Sequence, residues 1–549
     1  MPTSKTSLNP EVVEELARIV GVEYVHLDRE TRNRYGRSTG PERTEPIGIV
    51  APCDREQVQA IVRLASRAGV ALFPISCGKN WGYGDACAPR SDNLIVDLSR
   101  MNRILEVNTE LAYAVVEPGV TQGQLVDYIE AHALPLMIDA TGAGRGASVV
   151  GNVLERGSGH TPYGDHFQTS CNYEIVLSDG SIIESGFGAY SNSQAQHVFK
   201  YGVGPSLDGL FSQSNFGIIT RMTVWLMPTP ENFCMFFVSL EDADSVGPFF
   251  ETVRRLRLSG TLKSTLHCFN NRRLLSSAAR FPWEKARGDR ALEVEHPDMF
   301  REMCEKYGIP AWAATGSVQG SNAEVAAARK IIRRTLGSTR GVARLVFLTE
   351  RSFAFVQLLR PWLRRLAPSS LTLRRLDQVN LGWELLRGQP SNDTLKGSHW
   401  RSKAALTAEI VDPLDSHSGL AWVSPILPMT AAAVTEVSRS SEHVFHKYGF
   451  EYQATLTAIN ERALIAVQSI SFDRSNVDET VRARQCQDEL LETLLSRGYV
   501  PYRGPLSVME RVWPRAPSYW TVVASLKAAL DPGAIIAPDR YVPTTVHNK

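Results

Sequence analysis

Pro74-Ile75-Ser76-Cys77-Gly78-Lys79-Asn80-Trp81-Gly82-Tyr83-Gly84 follows the strand-like run Ala71-Leu72-Phe73 and places three glycines within seven residues. Glycine lets a backbone turn sharply and aim its N–H groups at an anion such as a diphosphate, and Lys79 adds a positive charge. The stretch lacks the Gly-Lys-Ser/Thr end of a Walker loop. It opens no long helix and its glycine spacing is not that of a Rossmann fingerprint. Taken alone, it reads equally well as an ordinary turn.

Outward from this loop, more of the same kind follow. They are Glu117-Pro118-Gly119-Val120, the run Thr141–Asn152 (TGAGRGASVVGN), Gly157–Asp165 (GSGHTPYGD) and Tyr201–Gly217 (YGVGPSLDGLFSQSNFG). Several backbone loops closing on one long ligand suit an extended dinucleotide. Glycines at hairpin spacing, the alternative, are mostly absent here.

Between the loops, short β-rich runs (NLIVDLS, LAYAVVEPGV, YEIVL, SIIES, GIITRMTVWLMP) alternate with helical patterns such as Arg55 to Ala68. Ser178-Asp179-Gly180 signals a hairpin. Asn9, Pro10 and the acids Glu11, Glu14 and Glu15 mark a capped helix start. After Pro228-Thr229-Pro230 the glycine density falls and longer amphipathic helices appear, among them Ala323 to Leu336 and Asp478 to Ser496. The polar stretch Arg280 to Pro297 reads as a solvated loop or helix face. From Arg497 the chain is turn-rich again.

These patterns give an α+β fold, and 549 residues exceed what one core usually supports, so two domains are expected. A formal net charge of +1 provides no global field for nucleic acid or an anionic membrane. No apolar run is long enough to span a bilayer, and the first residues lack a secretory pattern. Eight scattered cysteines form no Cys-x-x-Cys pair, and His443 and His446 have no evident third ligand. A reduced, cytoplasmic protein without a metal site is expected.

Read in order, GKNWGYG, VEPGVT, GNVLERG, HTPYGDH, LDGLFSQSNFGIIT and WLMP resemble motifs of the vanillyl-alcohol oxidase and p-cresol methylhydroxylase (4-cresol dehydrogenase) family of FAD-linked oxidoreductases. GQPSNDTL, HKYGFEY, YVPYR and DPGAIIAP continue the match. The resemblance implies a two-domain, p-cresol methylhydroxylase-type FAD-binding fold. Residues 1–230 and the returning segment 497–549 would bind FAD, and 231–496 would form an α+β substrate (cap) domain. It implies cofactor-binding roles for Ser76, Cys77, Gly78, Lys79, Asn80 and Gly82, and for Pro118, Gly119 and Val120. Gly142, Ser148, Gly151 and Asn152 join them, as do Thr161, Tyr163, Gly164, Gly217 and Ile219. It also implies a homodimer, a phenolic substrate, and reoxidation by oxygen or by an electron-acceptor protein.

Three residues match the family's phenol-binding group: Tyr83, Tyr502 and Arg503. A free phenol ionises near pH ~10, and two hydroxyl donors plus a guanidinium favour the phenolate. Its electrons then push a hydride from the para benzylic carbon, leaving a quinone methide. The chain also departs from the family. Ala143 stands where relatives carry an aspartate or a serine beside the flavin. Leu420 replaces a flavin-linking histidine, while His399 falls where others attach FAD through a tyrosine, so His399 is a candidate covalent link. Asp139 is read as a turn residue, and Arg145 as either a charge near the flavin or a structural arginine. Asp85 and Asp539 replace small residues. A tailoring oxidase for a larger or non-phenolic substrate and a non-catalytic flavin-binding subunit are the alternatives.

Overall fold

The computed structural model describes residues 7–286, 288–367, 371–404, 412–506 and 508–543. The first layer is a sheet whose strands lie in the order Val25–His26, Gly48–Val50, Asn93–Asp97, Ala71–Ile75. Its three longer strands are parallel, as strands joined by helical crossovers must be. The crossover helix Arg55–Ala68 starts where the Asp54 side chain accepts the Gln57 amide and stops at Gly69, whose φ is 59°. Its Val58, Ile61, Val62 and Ala65 are buried, the i, i+3, i+4, i+7 stripe that lays one helix face on a sheet. The helix begun by Asn9 runs Pro10–Val20, with the Asn9 side chain accepting the Glu11 amide.

A second, antiparallel sheet is ordered Ile104–Asn108, Tyr113–Val116, Ile218–Trp225, Ser170–Val176, Ile182–Glu184. The last two strands form the hairpin around Gly180, whose φ of 77° suits glycine. The glycine-rich loops after Ile75 and Val116 and before Ile218 adjoin strands of these two sheets.

The third sheet begins at Asn232–Leu240 and is antiparallel throughout. Its order is Val342–Thr349, Asn232–Leu240, Trp312–Gly320, Leu266–Asn270, Gln453–Ala458, Ala463–Asp473, Ser418–Val423, with Ile426–Pro428 also pairing Ala463–Asp473. Side chains alternate between its faces. Phe236, Ala314, Cys268, Leu456, Ala466 and Ala421 enter a core shared with the helices Val246–Leu258, Asn322–Gly337, Ala431–Lys447 and Val477–Leu495. Their strand neighbours Phe237, Thr315, His267, Thr457, Val467 and Trp422 face the opposite way, into a cavity. A one-residue slip of register would exchange these two sets.

Near its end the chain returns to the first layer. Leu72 donates its amide to Ile535 O (2.6 Å) and accepts that of Ala537 (2.7 Å). Ile535 and Ile536 join the core of that layer.

Two elements differ from expectation. The stretch Arg280–Pro297 is not simply solvated, because Phe281, Ala286 and Leu292 are buried against Trp400; widely spaced apolar residues meet a partner distant in sequence. The helices Glu350–Leu366 and Leu371–Leu386 were not anticipated. Among the described residues no helix is long and apolar enough to cross a membrane, no group of side chains could hold a metal, and the eight cysteines are unpaired. His446 shares a 3.2 Å contact with Glu293.

Candidate active site

The loops and the inward face of the third sheet enclose a cavity of about 900 Å3. That is near the upper end of the ~300–1,000 Å3 usual for small-molecule sites, which suits a long cofactor with a substrate beside it. The first loop contributes Ser76, Cys77, Gly78, Lys79, Asn80 and Tyr83, and Pro118 stands behind them. Gly142, Ser148, Gly151 and Asn152 line the next wall, Gly217 and Ile219 another, and Tyr502 and Arg503 close the far side.

The backbone of this cradle fits FAD. A Cβ added at Gly142 would meet nothing within 4 Å, so that peptide faces open cavity. The Ser148 hydroxyl donates to Pro118 O (2.6 Å) and accepts the Gly151 amide (2.9 Å), tying two loops together. Gln122 accepts the Thr141 amide (3.0 Å) and donates to Thr141 O (3.2 Å), fixing a third. Tyr163 lines a small pocket of about 40 Å3 that shares Ser148 and Asn152.

Several residues expected at the cofactor also brace the walls. Gly82 has φ 74°, and a Cβ there would lie 1.8 Å from Trp422, so only glycine lets the loop approach that indole. Gly164 and Thr161 pack against Thr265, whose amide donates to Thr161 O (3.2 Å). Gly119 and Val120 are packed behind the cavity wall, Gly119 against carbonyls 98–101. The charge of Lys79 is taken by an ion pair with Asp412, which also accepts from Trp81 Nε1 (3.1 Å).

Tyr83 and Arg503 meet directly. The Arg503 guanidinium carbon lies 4.3 Å from the Tyr83 ring centroid. Arg503 donates from Nε to Glu155 (3.0 Å) and from Nη2 to Asn80 Oδ1. Tyr83 shares a 2.8 Å hydrogen bond with Ser424 and stacks on Trp422 at 6.3 Å. Tyr502 is held by its backbone: its amide donates to Ser424 O (3.1 Å), and its carbonyl accepts from Gln213 (2.9 Å). Burial, and then the Tyr502 hydroxyl, push Tyr83 well above the usual phenol range against the pull of Arg503. Burial would depress Arg503, but Glu155 and the surrounding tyrosines keep it charged.

Glu155 was not anticipated, nor were its second anchors, Arg540 (3.3 Å) and the Tyr541 hydroxyl (2.5 Å). Burial would raise its carboxyl, yet Arg540 and Arg503 hold it below the ordinary range. The one sequence signal that could have pointed to this cluster is the adjacency of tyrosine and arginine in both Tyr502-Arg503 and Arg540-Tyr541.

The departures now have places. Ala143 and Leu420 line the cavity and offer no nucleophile or base. His399 does not line it. Its ring is buried and Nδ1 shares a 2.6 Å bond with Ser418. Arg145 pairs with Asp127 (2.6 Å) away from the cavity, and so is structural. Asp139 is no turn residue but a buried acceptor for the amides of His160 and Thr161 (both 2.9 Å) and for the His166 ring (2.9 Å). Asp539 keeps the left-handed backbone of a glycine position, with φ 65°.

Asp85 is buried and accepts the amide (2.6 Å) and hydroxyl (2.8 Å) of Thr39. Burial pushes its carboxyl up to about 7 despite these bonds. A folded value above the unfolded one, ~3.9, gives stability that is full below ~4 and is lost as pH rises through 7. Asp85→Asn keeps an oxygen for Thr39 and does not ionise. Its melting temperature should match the parent's near pH 4 and exceed it at pH 8, where the added stability is about 4 kcal/mol. A pH-independent difference in thermal unfolding would refute this role.

A family model described as an FAD binding domain matches residues 46–186. The chain is 34% identical over 527 residues to 1'-carboxy-chondrochloren decarboxylase of Chondromyces crocatus, covering 95% of each. It is 31% identical over 506 residues to the 4-cresol dehydrogenase [hydroxylating] flavoprotein subunit of Pseudomonas putida, covering 90% of this chain and 87% of that one. Among solved structures, p-cresol methylhydroxylase with substrate bound superposes with a TM-score of 0.86 at 28% identity, over 97% and 96% of the two chains. The 4-ethylphenol oxidase of Gulosibacter chungangensis, in an isoeugenol complex, gives 0.86 at 26%, over 97% of each.

Proposed function

The chain belongs to the p-cresol methylhydroxylase family of FAD-linked oxidoreductases, and from that premise we propose that it removes a hydride from the benzylic carbon of a para-substituted phenol. The observation that carries this reading is the clamped Arg503 guanidinium beside the Tyr83 ring in the cavity wall.

Glu155 and Asn80 fix the orientation of Arg503, so its remaining donors are preorganised for an oxyanion. Tyr83 stays protonated and, with Tyr502, offers hydroxyl donors to the same oxygen. A substrate phenol bound there gives up its proton more readily, and the phenolate donates electrons through the ring. Hydride leaves the para benzylic carbon and the ring becomes a quinone methide. FAD, when bound, supplies the two-electron acceptor for that hydride. The remaining cavity-facing positions of the third sheet exclude bulk water from the reacting carbon.

Anaerobic mixing of the purified flavoprotein with a series of 4-alkylphenols tests this. The visible absorbance of oxidised flavin should bleach; persistence across the series would refute turnover of such phenols and favour a non-catalytic flavin subunit. A second reading, tailoring of a larger phenolic, draws on a cavity that extends under the cap to Tyr307 and Leu381.

A further inference from the structure

The cavity is lined by four carboxylates, and each is engaged. Asp85 accepts from Thr39, Glu155 pairs with Arg503 and Arg540, Asp377 with Arg360 (2.5 Å), and Asp393 with Lys396 (2.8 Å). Lys396, Arg503 and Arg540 are thereby matched among the cavity's cations, and Asp412 matches Lys79. Among the described residues Arg374 has no carboxylate partner, and its guanidinium lies 4.8 Å from the Tyr307 ring centroid.

Arg273 stands apart. It projects from the helix Asn271–Ala278, and its guanidinium makes no hydrogen bond or ion pair among the described residues. Burial alone draws it down to about 10, with no neighbouring charge contributing, so it is a cation at neutral pH. It lies 5.7 Å from the Trp422 ring centroid, and Trp422 in turn stacks on Tyr83. A Cβ at Gly397 would come within 3.3 Å of Arg273 Nη1, so the glycine leaves room around the fork. A half-buried guanidinium in a cavity wall with no carboxylate beside it favours an anion opposite.

We propose that Arg273 is the binding site for a carboxylate carried on the para side chain of the substrate. A guanidinium presents two parallel N–H donors that match a carboxylate, and one guanidinium balances one negative charge. The contacts from Arg273 through Trp422 and Tyr83 to Arg503 place this anchor along the same cavity as the phenol site. The substrate is then a 4-hydroxyphenyl compound with an acidic tail, its ring oxygen at Arg503 and its carboxylate at Arg273. This rests on the benzylic reading for the ring end only. The decarboxylase relative, whose name specifies a carboxylated compound, is consistent with it.

The test compares ω-(4-hydroxyphenyl)alkanoates, from the acetate through the pentanoate, with their methyl esters on the FAD-loaded protein. Equilibrium dialysis reads binding and anaerobic flavin reduction reads turnover. At the best chain length the acid should bind about 10- to 100-fold more tightly than its ester. Arg273→Gln should erase that preference without weakening the ester, and Arg374→Gln should leave it intact. Equal binding of acids and esters throughout, or a preference that survives Arg273→Gln, overturns the assignment. So does an Arg273→Gln protein that sheds FAD while its preference is unchanged, since the arginine then serves the cofactor. Acid-selective binding without bleaching refutes the benzylic reading and leaves the anchor standing; bleaching without selectivity does the reverse.

Discussion

Arg503→Ala is expected to slow flavin reduction by a 4-alkylphenol about a thousandfold while the protein keeps its FAD. A guanidinium about 4 Å from a phenolate oxygen, at an effective dielectric constant near 20, contributes ~4 kcal/mol, close to three powers of ten in rate. The fold should tolerate the loss. Glu155 retains Arg540 and the Tyr541 hydroxyl, so no buried carboxylate is stranded. Arg503→Lys should fall between, ~10- to 100-fold slower, because a point charge cannot hold Glu155, Asn80 and a substrate oxygen in one plane. Rapid-mixing absorbance gives the rate and the flavin spectrum gives the occupancy. An Arg503→Ala protein with full FAD and unchanged reduction would remove this residue from the chemistry.

How much of this was legible in the sequence depended on whether a residue acts through its neighbours along the chain or through distant ones. The loops at Ser76–Gly84 and Thr141–Asn152 announced themselves by local glycine spacing, and they line the cavity. The helix Arg55–Ala68 was readable from its stripe and its flanking Asp54 and Gly69. Side-chain partners were not readable. Lys79 looked free for a phosphate, yet Asp412, 333 residues away, holds it. Glu155 sits in GNVLERG as one acid among many, and its meaning comes from Arg503, 348 positions later. Arg273 carried no local signal, because what distinguishes it is the lack of a partner once the chain has folded. His399 is similar: its position within a motif suggested the flavin, and its bond to Ser418, 19 residues away, was not readable.

The largest expected effect belongs to the substrate's oxygen. Any 4-alkylphenol that bleaches the flavin should fail to do so as its methyl ether, with a loss of about 10^5-fold or more. Hydride departure from the phenolate leaves a neutral quinone methide, whereas departure from the ether leaves a cation spread onto the oxygen that Arg503 faces. The same guanidinium that stabilised the anion by ~4 kcal/mol now opposes the developing cation by a similar amount. The swing of ~8 kcal/mol corresponds to more than five powers of ten. Tyr83 does not relieve it, because burial holds that hydroxyl protonated below the alkaline range. For the same reason Tyr83 should add no titration to the rate of the phenol between pH 6 and 9, and any step near pH 7 beyond ionisation of the bound substrate belongs to Asp85 and should vanish in Asp85→Asn. Ether and phenol bleaching the flavin at comparable rates would show that the electrons come from elsewhere, and that Tyr83 and Arg503 serve only to bind.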